Sequence, residues 1–290
     1  MSTSKKTSCW QPPKNFAAKH RGSCRSKIFI RTFTLACRPA SAKTPDTKNK
    51  DHKMAINADT LRDIVVANRI LAHEEVVDAF GHISIRSPDN PEQYLLSRAR
   101  APELIEADDI VTFTQDGDGI DMGDKRPYSE RMIHGAIFEA RPDVNVVIHN
   151  HSYEVIPFAV TDVPMRPVTH TCAPIGADIP VWDMRHKFGE TNHLVVTMEQ
   201  GRDLAATLGD RPIALMKRHG CVVAGATVQE TVMKAIYLQV NAKLQLQAMQ
   251  IGTPDYLTDT EIAACTDMQQ APISLDRAWE AWCRRAERAK

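Results

Sequence analysis

The chain has 290 residues, 43% of them hydrophobic and 25% charged, which is enough for one large domain or two small ones. No apolar run approaches the ~18 residues of a membrane-spanning helix, so a membrane protein is not expected. The formal charge is zero, yet residues 1–53 hold 13 Lys/Arg and 2 Asp/Glu, leaving 23 and 34 for residues 54–290, and so acidic a body argues against a nucleic-acid partner.

Residues 1–53 carry Arg21, Arg25, Arg31 and Arg38, many Ser and Thr, and no acid before Asp46. Two readings stand. One is a mitochondrial transit peptide, whose composition this is; the other is a cytoplasmic protein whose tail is a basic, disordered extension or follows from an upstream start codon, with Met54 the true start. Either way the folded domain is expected over residues 54–290. The seven cysteines, at positions 9, 24, 37, 172, 221, 265 and 283, form no C-x-x-C pair and read as free thiols in a reducing compartment.

Asp59 is placed to cap a helix over about residues 60–76, with Leu61, Ile64, Val65, Ile70 and Leu71 on its apolar side. Gly81 ends that region. Residues 82–86 alternate as a strand, and residues 94–97 pair with it across a Pro/Asp/Asn turn. Residues 110–114 form another strand, closed by Asp116-Gly117-Asp118-Gly119. The spacing of Ile133, Ala136, Ile137 and Ala140 predicts a helix over residues 129–141. Residues 144–149 are the most β-rich run, and 194–197, 213–216 and 221–224 are further predicted strands. Thr227-Val228-Gln229-Glu230 reads as a capping box. It opens a long helix whose Val232, Ala235, Ile236, Val240 and Leu244 face the core. Residues 258–268 and 274–288 complete the set as two short helices, the second bearing Trp279 and Trp282. Strands and helices are mixed without strict βαβ alternation, which implies an α/β layered fold with a largely antiparallel sheet.

The chemistry concentrates in His149-Asn150-His151, at the end of a predicted strand. Side chains two apart on a strand point to one side, so the two imidazoles can share a divalent ion. Three protein ligands with positions left open make a catalytic metal site. His219, beside Gly220 in the turn between two apolar strands, is the candidate third ligand. Glu130, in the first turn of the predicted 129–141 helix, reads either as an acid–base group near that ion or as an acid stabilised by the helix dipole. His134, four residues on, reads as a partner for that acid or as a packed side chain.

Ser129-Glu130, then His149-x-His151, then His219-Gly220 resemble, in order and spacing, the class II aldolase/adducin family over roughly residues 55–250. The resemblance implies a central, mainly antiparallel sheet flanked by helices. It also implies a homotetramer and a divalent cation (Zn or Mn, with Fe or Co also possible) held by His149, His151 and His219. Glu130 would then be acid–base catalyst and occasional ligand. The adducin branch, which serves as a non-enzymatic interaction module, lacks the histidines that this chain keeps. Sugar-phosphate aldolases of the family bind phosphate with segments that here read Gly81-His82-Ile83-Ser84, Ser97-Arg98-Ala99-Arg100 and Tyr128-Ser129-Glu130. His82, Arg98 and Tyr128 stand in place of small or hydroxyl residues, and an Arg suits a planar carboxylate. Residues 67–72, 78–82, 96–98 and 149–152 look closest to the branch that decarboxylates hydroxypyridine dicarboxylates and dihydroxyphthalates. The expectation is a metal-dependent lyase acting on a hydroxylated aromatic or heteroaromatic acid through a metal-stabilised enolate. Its catalytic residues would be Glu130 and His82, and Ser97, Arg98 and Ser129 would bind substrate. The alternative activity is aldol cleavage or dehydration of a sugar phosphate, and a second alternative is an adducin-like interaction protein.

Overall fold

The computed structural model describes residues 56–288, so the expectations for residues 1–53, with Cys9, Cys24 and Cys37, lie outside the described residues. Helix α1, Ala58–His73, buries Ile64, Val65, Ile70 and Leu71 as the spacing predicts. Its cap is Asn57 and not Asp59: the Asn57 side chain accepts the Asp59 N–H at 2.8 Å, which leaves Asp59 inside the first turn. Strands β1, His82–Arg86, β2, Gln93–Ser97, β3, Ile110–Thr114, and the short β4, Gly119–Ile120, form an antiparallel meander.

The predicted 129–141 helix is broken. Ser129–Arg131 makes a single tight 3-10 turn, with Glu130 off helical geometry at φ −95° and ψ 18°, and α2 runs Met132–Ala140. Strand β5, Val146–Asn150, follows, then the short helix α3, Ile156–Val160. Next come β6, Val181–Trp182, the single turn α4, Arg185–Phe188, and α5, Met198–Leu208. Residues 194–197, predicted as a strand, pair with no strand among the described residues. Their N–H groups go to side chains instead: Leu194 to Asn192, Val195 to Glu130, and Val196 and Thr197 to Gln200. Thr197 and Gln200 thereby form a complete capping box for α5.

Strands β7, Ile213–Met216, and β8, Gly220–Gly225, make the expected hairpin. Helix α6, Val228–Ile251, starts at Thr227, but only half of the predicted box exists. Thr227 accepts the Glu230 N–H, whereas the Glu230 carboxylate is taken by Lys234 and Gln270. Val232, Ala235 and Ile236 are buried, Val240 is half-buried, and Leu244 is exposed. Helices α7, Asp259–Gln269, and α8, Pro272–Arg288, close the chain, and Trp282 is buried against Tyr237 within the same chain. The four cysteines among the described residues are free.

The eight strands form one sheet in the order β4-β3-β2-β1-β5-β8-β7-β6, antiparallel except for β6–β7. Alternation along each strand sends residues to two cores. Ile83, Ile85, Val146 and Ile148 pack with α1, α6 and α8 on one face. Tyr94, Leu96, Val147 and Val222 pack with α2 and α5 on the other. The sheet is thus mainly antiparallel and covered by helices on both sides, as the resemblance implies. His82, Ser84 and His149 share the parity of Val147, so they point toward α2.

Candidate metal centre and active site

The centre grows from the middle of the sheet, where β5 lies between β1 and β8. His149 pairs with His82 on one side and Val222 on the other, and it is fully buried. Asn150 pairs with Cys221, so the next positions outward are His151, just past the end of β5, and Gly220 on β8. A Cβ on residue 220 would stand 2.0 Å from the Asn150 carbonyl oxygen and 3.1 Å from the His151 ring, so only glycine lets the two strands close beside the histidines.

His219 precedes that glycine in the β7–β8 turn. The turn requires a left-handed residue, supplied by Arg218 at φ 65°. Such a conformation is costly for a non-glycine residue and persists where surroundings enforce it. Here Asp183 holds the turn by accepting from Arg218 at 3.2 Å and lying 3.8 Å from Lys217.

Glu130 reaches in from the 3-10 turn before α2. Its Oε1 accepts the Val195 N–H at 2.9 Å, and its Oε2 lies 3.4 Å from His219 Nε2 and 3.7 Å from His149 Nε2. Burial alone would raise its pKa. The hydrogen bond from His219, the charges of His149 and His219, and the Val195 N–H outweigh that and bring it down to about 2. One potential ligand atom from each of Glu130, His149, His151 and His219 falls within a common 4.8 Å.

Tautomers decide whether this group fits a cation. His149 Nδ1 lies 3.1 Å from the Cys221 carbonyl oxygen, which can only accept, so Nδ1 carries the proton. His151 Nδ1 lies 3.1 and 3.2 Å from the two oxygens of Asp78. Burial would raise the Asp78 pKa, but the Phe80 N–H, His151 and the Gly81 N–H together lower it, so the carboxylate is an acceptor as well. With neutral rings the two Nε2 atoms are the lone-pair ends, and they face each other at 3.1 Å. A cation between them would take both as ligands. Ligands about 2.1 Å from a tetrahedral Zn²⁺ stand about 3.4 Å apart. The donor set fits a divalent cation: the Nδ1 atoms of His149 and His151 already have the hydrogen-bond partner that ligating histidines ordinarily show, whereas His219 Nδ1 is buried with no partner among the described residues.

A cavity of about 260 Å³ opens at the cluster. Glu130, His151, His219, His82 and Ser129 line it, and Phe80, Tyr128 and Leu194 supply its apolar surface. Of the residues singled out in the sequence, the structure thus brings together Glu130, His82, Ser129, His151 and His219, with His149 directly behind. Ser97 and Arg98 are not part of the lining. Ser97 is buried at the end of β2, and the Arg98 Nε is 2.6 Å from Asp109 Oδ1. Asp109 also takes Arg100 at 2.6 Å, so the arginine expected to grip a substrate carboxylate is committed to a protein carboxylate. Sequence reasoning gave no role to Asp78 or Phe80. The available signal was the Asp78-x-Phe80-Gly81 turn, in which Asp78 Oδ1 accepts the N–H groups of residues 80 and 81 while holding His151.

The profile of the Class II Aldolase and Adducin N-terminal domain family matches residues 62–246. The chain is 29% identical over 252 residues to the decarboxylase tropJ of Talaromyces stipitatus, covering 78% of this chain and 94% of that protein. It is 32% identical over 221 residues to the 3,4-dihydroxyphthalate decarboxylase of Arthrobacter keyseri, covering 71% and 85%. Among solved structures, the L-fuculose 1-phosphate aldolase of Glaciozyma antarctica superposes with a TM-score of 0.66 at 22% identity, over 83% of this chain and 94% of that one, and so shares the fold.

Proposed function

We propose, from the premise that this chain belongs to the class II aldolase and adducin family, that it is a divalent-metal-dependent decarboxylase of hydroxylated aromatic or heteroaromatic acids. The observation that carries the reading is the meeting of four ligand atoms with a cavity surfaced by Phe80, Tyr128 and Leu194. Flat apolar walls suit a ring better than a polyhydroxylated chain. The two decarboxylase relatives point the same way.

His149, His151 and His219 would hold the cation, with Glu130 as a fourth ligand when no substrate is bound. Zn²⁺ and Mn²⁺ suit this set best, and Fe²⁺ or Co²⁺ fit it too. Such a cation supplies stabilisation of negative charge on an oxygen next to the bond that breaks. The protein's own part is proton transfer and orientation. Glu130, ionised and pinned through Oε1 by the Val195 N–H, accepts the proton of the ring hydroxyl at its other oxygen and returns it to carbon as carbon dioxide leaves. The departing product takes one proton from solvent, which balances the reaction. His82 hydrogen-bonds the substrate from the opposite wall, and Ser129 contributes a hydroxyl at the rim.

Residues 54–290 form the catalytic unit in this reading, and the chain assembles as a homotetramer; light scattering tests the latter. The test of function is metal content followed by substrate turnover. Protein expressed from Met54 is assayed for carbon dioxide release from ortho-hydroxylated aromatic mono- and dicarboxylates, with sugar phosphates as a second panel. Metal-dependent carbon dioxide release supports the reading. Cleavage of a sugar phosphate in its place assigns the site to aldol chemistry, and failure to bind any divalent metal removes the enzyme assignment.

A further inference from the structure

Three buried polar side chains adjoin the centre without belonging to the ligand set. Ser84 and His134 are 0% exposed and His82 is 2% exposed. Ser84 and His82 stand two residues apart on β1, so both face α2, and His134 of α2 bridges them. His134 Nδ1 is 2.6 Å from Ser84 Oγ, and His134 Nε2 is 2.6 Å from His82 Nδ1. Both nitrogens of His134 are thereby engaged, and of the two His82 nitrogens Nε2 has no partner among the described residues. The His82 ring borders the cavity, lying 4.5 Å from the Tyr128 ring and 5.2 Å from His149, centroid to centroid.

A hydrophobic side chain would fill the place of His134 without the cost of burying two polar nitrogens. A chain of hydrogen bonds running from the sheet through a helix to the cavity wall instead fixes the plane of the last ring. We propose that His134, anchored by Ser84, is a positioning residue that locks the His82 ring and turns its Nε2 toward an oxygen of the bound substrate. Burial supports this by keeping the His134 imidazole neutral, with its pKa lowered to about 3, so that it can accept at one nitrogen while donating at the other. The proposal rests on the cavity being the active site, as the preceding reading has it, but its first test does not depend on turnover.

That test is nitrogen-15 NMR of histidine-labelled protein reconstituted with Zn²⁺. The expected result is one pair of neutral imidazoles coupled through a shared N–H···N proton. Loss of the coupling in His134→Gln, and a shifted His134 Nδ1 signal in Ser84→Ala, are also expected. Absence of any coupled pair in the wild type overturns the proposal, whatever the substrate proves to be. The kinetic arm uses the acid found to be turned over. His134→Gln should lower kcat about tenfold or more with KM within about twofold and metal content unchanged, and Ser84→Thr should restore what Ser84→Ala loses. In a His82→Gln background, His134→Gln should have no further effect. Multiplying effects in the double variant, or a loss of metal in His134→Gln, would mean that His134 only supports the fold. Should His134→Gln fail to fold, Ser84→Ala alone, which removes a single oxygen, carries both arms.

Discussion

The Nε2 atoms of His149 and His151 face each other at 3.1 Å while each Nδ1 is held by an acceptor, the Cys221 carbonyl for one and the Asp78 carboxylate for the other. Residues two apart on a strand share a face, but that alone does not aim ring nitrogens. The two acceptors do this, and one of them is 73 residues distant in sequence.

Asp78 should therefore matter to the metal without touching it. Asp78→Asn is expected to weaken metal affinity by about 10- to 100-fold, measured by competition with a chelator. His149→Ala should abolish stoichiometric binding. Equal metal affinity in wild type and Asp78→Asn would contradict the assigned tautomers.

Glu130→Gln keeps the shape and still accepts the Val195 N–H, but it cannot carry the proton. Turnover is expected to fall by about 10²–10⁴-fold with metal retained. Near-normal turnover with metal in place would remove Glu130 from the chemistry.

Gly220→Ala forces a methyl group to within 2.0 Å of the Asn150 carbonyl oxygen. The strands must part where His151 and His219 meet. A loss of about 1–3 kcal/mol of stability is expected, seen as a lowered Tm and accompanied by weaker metal binding. A well-folded, fully metallated variant would show that the close approach of β5 and β8 is not required.

Acid should destabilise the fold through His134. In the folded protein burial lowers its pKa to about 3, while in the unfolded chain it titrates near ~6.5. Between those values the unfolded state binds more protons, so stability falls as pH drops below ~6.5, by up to ~1.4 kcal/mol per pH unit for this group, and is unaffected above it. Urea unfolding at pH 7 and pH 5 should show a smaller pH difference in His134→Gln than in the wild type. An equal difference would place the acid sensitivity elsewhere.

Phe80 is 72% exposed, yet it lines the cavity. Phe80→Ala should leave Tm unchanged and raise KM for ring substrates by roughly two- to tenfold, the scale of one aromatic contact. An unchanged KM would mean that the ring binds away from this wall.

Much of this was legible in the sequence. Period-two alternation located β1, turn signals set off β2 and β3, β-rich composition located β5, and the apolar face located α1. The histidine spacing together with the family resemblance picked out the donor set. What escaped depended on distant partners. Residues 194–197 have a strand's composition, but their N–H groups are consumed by Glu130, Asn192 and Gln200. Thr197-x-x-Gln200 was a readable cap for α5 hidden by that misreading. Arg98 sits beside the motif that suggested a substrate role, but Asp109 claims it in three dimensions. The kink at Glu130, which aims its carboxylate at the histidines, interrupts what reads as one continuous helix. Leu244 fits the helical period of α6, but the buried face there runs through Leu238, Asn241, Ala242 and Gln245 and leaves Leu244 exposed.

The most direct test of the account is carbon dioxide release from ortho-hydroxylated aromatic acids by protein stripped of metal and then reloaded with Zn²⁺ or Mn²⁺. No release is expected from the stripped protein, release on reloading, and none from reloaded His149→Ala. Release that persists without metal, or reloaded protein that turns over only sugar phosphates, would contradict it.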